Sequence, residues 1–191
     1  MYFISKIYIS FLSTGLQLVF VIGSSASSSN VQRTNFDAQR QLIRTMINRY
    51  KISPQDTQVG VITYGRMATA AINLRRYEDK STLLAGVGKI GNPGAGSRID
   101  LGVSEGIAML RGAKKDGFQQ RLVVIFDGKA EFNLAKLATE LKEDSVETIA
   151  IGLGGDADKS DIEALSPDGK GRAVDAADKL DDIADAIEKP G

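Results

Sequence analysis

Residues 16–30 read LQLVFVIGSSASSSN, and the fold turns on how this stretch is read. Leu18 to Ile22 is an unbroken apolar run, short enough for a strand and apolar enough to be covered on both faces. It stops at Gly23 and gives way to Ser24, Ser25, Ala26, Ser27 and Ser28. A buried strand that runs into a hydroxyl-rich loop presents several oxygen ligands at the end of a sheet. The loop holds no carboxylate, which a hard divalent cation wants among its oxygens.

The rest of the chain supplies partners for that strand. Asn35 to Tyr50 has helical periodicity, with Phe36, Ile43, Ile47 and Tyr50 on one face and Thr34 or Asn35 as its cap. Gln58 to Tyr64 is a β-rich run ended by Gly65, and Ala68 to Leu74 follows as the return strand of a hairpin. Helices are expected over Glu78 to Ile90 and Leu101 to Ala113, separated by the Gly-rich loop of residues 91–97. Arg121 to Phe126 is a second doubly covered strand, ending in Asp127-Gly128. A helix over Asn133 to Lys142, a strand over Val146 to Ile151, a short helix over Asp161 to Leu165 and a last strand over Arg172 to Val174 continue the alternation. Asp178 to Ile187 closes it with an amphipathic helix. Strands alternating with helices predict an α/β domain: a three-layer, Rossmann-like arrangement, its central sheet mostly parallel with one antiparallel edge strand. Ligands in such folds sit beyond the carboxyl ends of the strands, where Gly23–Ser28, Gly94–Asp100 and Asp127–Lys129 fall.

Composition narrows the chemistry. The 191 residues carry 24 basic and 24 acidic side chains, so no charge excess argues for nucleic acid or for electrostatic adhesion to a membrane. There is no Cys and no His, which removes the thiolate nucleophile, the Cys-based zinc site and the usual general base near neutral pH. No acid–base pair is placed for catalysis, and a non-enzymatic chain is expected. The first residues, MYFISKIYISFLST, are apolar and aromatic but too short to span a membrane. Lys6 lies inside the apolar part rather than ahead of it. Residues 1–15 therefore read as an N-terminal extension or signal-peptide remnant, with an extra strand or a misplaced start as alternatives.

Two glycine strings are discounted. Gly86, Gly88 and Gly91 match a dinucleotide fingerprint in spacing, but they end a helical pattern instead of opening one, and Gly88-Lys89 lacks the rest of a P-loop.

Five segments in order resemble the von Willebrand factor type A domain. They are VFVIGSSAS, VGVITYG, LLAGVGKIGNPGAGSRIDLGVSEGIAML, RLVVIFDGKA and VETIAIGLGG. The resemblance covers about residues 16–189 and lies nearest the extracellular-matrix, collagen VI-like branch. It implies a metal-ion-dependent adhesion site, usually holding magnesium. Ser25 and Ser27 match the serines of its Asp-x-Ser-x-Ser motif, Ser97 the threonine of the second loop, and Asp127 the aspartate of the third. Ser24, Arg98 and Asp100 fall on the implied ligand-face rim, although solvated loop charge is the simpler reading of the last two. Gly23 stands where the first aspartate belongs, and Phe126 replaces the threonine before the third motif. Three hydroxyls and one carboxylate would weaken Mg²⁺ binding by orders of magnitude. The expectation is no cofactor or a weakly bound Mg²⁺, with Gly23→Asp raising affinity if the rest of the site is intact. The resemblance further implies a protein ligand, such as collagen or another matrix protein, for an adhesion module of a secreted protein. An intracellular scaffold subunit of a multiprotein complex is the alternative.

Overall fold

The computed structural model describes residues 15–23, 30–126, 128–153, 157–166, 172–174, 181–182 and 184–185. The N-terminal stretch 1–14, Ser24, Ser25, Ser27 and Asp127 lie outside them. Elements run β1 (Gly15–Gly23), α1 (Asn30–Arg49), β2 (Thr57–Tyr64), β3 (Ala68–Ile72), α2 (Lys80–Gly88), α3 (Ile99–Ala113), β4 (Phe118–Phe126), α4 (Ala135–Glu143), β5 (Glu147–Leu153), α5 (Lys159–Leu165) and β6 (Arg172–Val174). The strands form one sheet in the order β3-β2-β1-β4-β5-β6. Every pairing is parallel except β2 with the edge strand β3. The expected sheet is therefore the one observed.

Alternation along β1 divides the core. Leu18, Phe20 and Ile22 face a cluster with Phe36, Ile43 and Ile47 of α1 and Leu83 and Val87 of α2. Val19 and Val21 face the opposite cluster, with Tyr64 and with Ile99, Val103, Ile107 and Leu110 of α3. β1 lies between β2 and β4 with both faces covered, which is why its sequence shows no polar alternation.

Several boundaries differ from the periodicity. α1 begins at Asn30, five positions before the expected start, so Thr34 and Asn35 lie inside the helix and do not cap it. The first turn carries no apolar stripe for a periodicity reading to detect. β4 begins at Phe118, three residues before the expected start at Arg121. The expected C-terminal helix falls mostly outside the described residues. Asp181, Asp182, Ala184 and Asp185 are helical, with Ala184 buried and both Asp181 and Asp185 paired to Arg49 of α1.

α2 starts at Lys80 because Asp79 caps it, its carboxylate accepting from the Thr82 amide at 3.0 Å and the Thr82 hydroxyl at 2.6 Å. These bonds, with one from Ser81, lower the Asp79 carboxyl to about 2. A depressed folded-state value means that the contribution is complete above the unfolded value near 3.8 and is lost as pH falls through about 2. The difference in Tm between the wild type and Asp79→Ala is therefore expected to shrink steadily between pH 5 and pH 2, as thermal unfolding across that range will show.

Candidate functional site

The carboxyl ends of β1, β2 and β4 meet at one end of the sheet. Gly23 ends β1 in register with Tyr64, the last residue of β2. Tyr64 is fully buried on the α3 side, and its hydroxyl donates to the Ile125 carbonyl of β4 at 2.9 Å. Because β1 lies between β2 and β4, this side chain must cross β1 to make that bond. It crosses at Gly23. A Cβ there would stand 2.6 Å from two carbons of the Tyr64 ring and 2.4 Å from the Tyr64 carbonyl oxygen. On its other side the ring packs against α3 at Gly102, where a Cβ would lie 3.3 Å from the ring and 2.7 Å from Val21. Glycines on both sides make room for the aromatic ring.

The backbone of Gly23 is held from α1. Gln39, fully buried, accepts from the Gly23 amide at 3.0 Å and donates to the Gly23 carbonyl at 2.8 Å. One side-chain amide thus satisfies both polar groups of the last residue of β1, as buried backbone requires. Gln39 lies three residues after Phe36 and four before Ile43, on the apolar stripe of α1. A polar residue at that spacing was the available sequence signal for it. Tyr64 gave no such signal, since it reads as the ordinary end of a β-run.

Gly23 does not fit the role of an ion ligand. It has no side-chain oxygen, and the space that one would occupy holds Tyr64. A side chain at 23 would have to displace backbone as well as ring. Among the described residues, no group of three or more His, Cys, Asp or Glu is arranged to hold a metal.

The second loop is pressed against the β2–β3 turn. Arg98 donates its amide to the Gly65 carbonyl at 3.1 Å, and a Cβ on Gly96 would lie 2.3 Å from the Arg66 nitrogen. Ser97, partly buried, accepts a long bond of 3.5 Å from the Glu131 amide through its carbonyl. Arg98 and Asp100 are not independently solvated. They form a forked pair, Nε to Oδ1 at 2.9 Å and Nη2 to Oδ2 at 2.8 Å. The pair lowers the Asp100 carboxyl below its usual range and raises Arg98, chiefly through those hydrogen bonds.

The Arg98 guanidinium also sits over the Phe132 ring at 4.5 Å, joining the second loop to the segment after β4. That segment is anchored in turn to the start of α5. Asp161 accepts from the Ala130 amide at 2.8 Å, and Lys129 approaches Asp158 at 3.4 Å. Phe132 is 52% exposed and Met67, in the β2–β3 turn, 71%. Both large exposed apolar side chains among the described residues therefore belong to segments at this end of the sheet.

The model of the von Willebrand factor type A domain matches residues 17–189. The chain belongs to this family. Human Matrilin-3 is 26% identical over 159 residues, covering 80% of this chain and 31% of that protein. The collagen alpha-1(XXI) chain of Xenopus laevis is 25% identical over 149 residues, covering 78% of this chain and 15% of that one. The chain thus spans less than a third of the length of either relative. In structure it resembles proximal thread matrix protein 1 of the mussel byssus, solved with a zinc-occupied MIDAS motif. That match has a TM-score of 0.80 and 21% identity, over 92% of this chain and 45% of that one. This von Willebrand factor type A domain shares that fold.

Proposed function

We propose that this domain is a non-enzymatic protein-binding module of an extracellular-matrix or secreted protein, and that its binding does not depend on a divalent cation. The observation that carries the metal-independent part is the Tyr64 side chain filling the space beside Gly23. Support for the partner class comes from the matrix proteins that it resembles, two of them a matrilin and a collagen chain. A chain with no Cys and no His also lacks a thiolate nucleophile and an imidazole base.

In this reading Ser25, Ser27, Ser97 and Asp127 line the ligand face, and Ser24, Arg98 and Asp100 form its rim. Any Mg²⁺ there is weakly held and supplies no required contact. The ligand is a protein, with collagen or another matrix component as the expected class. No helix among the described residues is long and apolar enough to cross a membrane.

A pull-down from extracellular-matrix extract with and without EDTA tests partner class and metal dependence together. Capture of the same matrix protein is expected in both arms, changed by less than about twofold, since a weak ion supplies little binding energy. Loss of capture in EDTA overturns metal independence. Capture from cytosolic extract alone favours the intracellular scaffold reading.

A further inference from the structure

We propose that a basic surface at the end of the sheet opposite the ligand face binds a linear sulfated polysaccharide through Arg75, Arg76, Lys114 and Lys115. The proposal goes beyond the protein-binding reading and shares only its extracellular setting. Acidic and basic side chains balance over the whole chain, but their placement is uneven. Two turns meet here, the one after β3 with Arg75 and Arg76, and the one after α3 with Lys114 and Lys115. Arg75 joins them by donating Nη2 to the Ala113 carbonyl at 2.9 Å, an oxygen that also accepts from Gln17 near the start of β1. All four side chains are exposed. Among the described residues none of the four enters an ion pair, whereas Arg40, Arg49, Arg98, Arg111 and Arg121 all do. Glu78 and Asp116, exposed in the same two turns, temper the positive charge. Lys51, in the neighbouring turn, is neutralised by Asp56 at 2.9 Å.

Two of the cations are held ready. Arg75 has φ of 66°, a conformation that a residue with a long side chain rarely adopts. Its bond to Ala113 uses one of five guanidinium donors. Lys115 donates to the Pro54 carbonyl at 3.2 Å and lies 4.3 Å over the Phe118 ring. These partners are uncharged, so both side chains are positioned with their charge intact, which lowers the ordering cost of binding. The ligand class follows from what the surface lacks. Protein interfaces are built around apolar and aromatic anchors. The large exposed apolar side chains among the described residues, Met67 and Phe132, both lie towards the other end of the sheet. A surface that offers charge without such anchors suits a polyanion, and a sulfated polysaccharide is the polyanion of an extracellular setting.

Equilibrium binding of the whole chain to heparin, measured by surface plasmon resonance, tests this without any protein partner. Its failure is thereby separable from failure of matrix-protein capture. Affinity should fall about tenfold or more between about 50 mM and about 200 mM NaCl, as several ion contacts require. Arg75→Gln with Arg76→Gln, and Lys114→Gln with Lys115→Gln, should each weaken binding by about tenfold. Arg75→Lys with Arg76→Lys keeps the charge and should retain most of the affinity, which separates charge from the bond to Ala113. Asp116→Asn should strengthen binding. Lys89→Gln with Lys136→Gln removes exposed cations elsewhere and should change it by less than about twofold. Equal binding to desulfated heparin overturns the proposal, as does a lysine pair at 75 and 76 that binds no better than the glutamine pair. So does an equal loss in the Lys89 and Lys136 variant, or tighter binding to vesicles of phosphatidylserine and phosphatidylcholine, which assigns the surface to a membrane.

Discussion

Gly96→Ala is expected to lower stability by about 3 kcal/mol or more, and with it the Tm by roughly 10 °C. Two costs combine. The backbone at Gly96 has φ of +149°, a conformation that side chains with a Cβ rarely adopt. The new Cβ would also stand 2.3 Å from both the Gly65 carbonyl carbon and the Arg66 nitrogen. Both neighbours are backbone, so the second loop must lift from the β2–β3 turn. That movement pulls on the Arg98 amide bonded to Gly65 and on the forked Arg98–Asp100 pair. Matrix-protein capture should therefore fall by more than the loss of folded protein explains. Denaturant unfolding alongside capture by equal amounts of folded chain checks both parts. A variant with wild-type stability would show that the loop accommodates a side chain and that its contacts with the turn are incidental.

The layering of this domain was legible because burial leaves a direct mark on composition. β1 and the inner part of β4 are covered on both faces, and Leu18–Ile22 and Leu122–Phe126 are correspondingly unbroken apolar runs. The hairpin strand β3 was visible through Gly65 and the short spacing after it, because a turn that brief can only return antiparallel. That residue 23 brings no side-chain oxygen was legible too, since it is a property of one residue. What lies beside it was not, because it depends on register. Tyr64 reaches Ile125 only because β2 pairs with β1 so that residue 64 lies beside residue 23. No local pattern in QVGVITY records that alignment. α1 failed in the opposite direction: Asn30 to Thr34 carries no apolar stripe, yet the helix extends through it.

The same dependence on register hides a buried polar ladder, and Gln17→Glu is expected to expose it. Gln17, Gln58 and Gln120 occupy one level of β1, β2 and β4, Gln17 being the register partner of both others. Each is buried. Gln120 donates to the Gln17 side-chain oxygen at 2.8 Å and to the Leu110 carbonyl at 2.7 Å. Gln17 donates to the Gln58 oxygen at 3.1 Å and the Ala113 carbonyl at 2.7 Å, while Gln58 donates to the Pro54 carbonyl at 2.9 Å. The ladder thus pins the last turn of α3 beneath the sheet, at the end opposite the ligand face. Gln17→Leu leaves the Gln58 oxygen without that donor and should cost about 2–3 kcal/mol. Ala113 retains a bond from Arg75 at 2.9 Å, which limits the damage. Gln17→Glu should cost more at neutral pH, about 3–5 kcal/mol, because it buries a charge facing two acceptors that the amide had satisfied. Protonation restores one donor, so burial raises the carboxyl of the introduced side chain in the folded state. The stability associated with the protonated form is complete below the unfolded value of about 4.3 and is lost as pH rises through the higher folded value. Urea unfolding from pH 4 to pH 8 should show Gln17→Glu approaching Gln17→Leu at the acid end and falling below it as pH rises. A constant gap between the two across that range would mean that water reaches position 17 and that the ladder is not the dry, cooperative brace its distances describe.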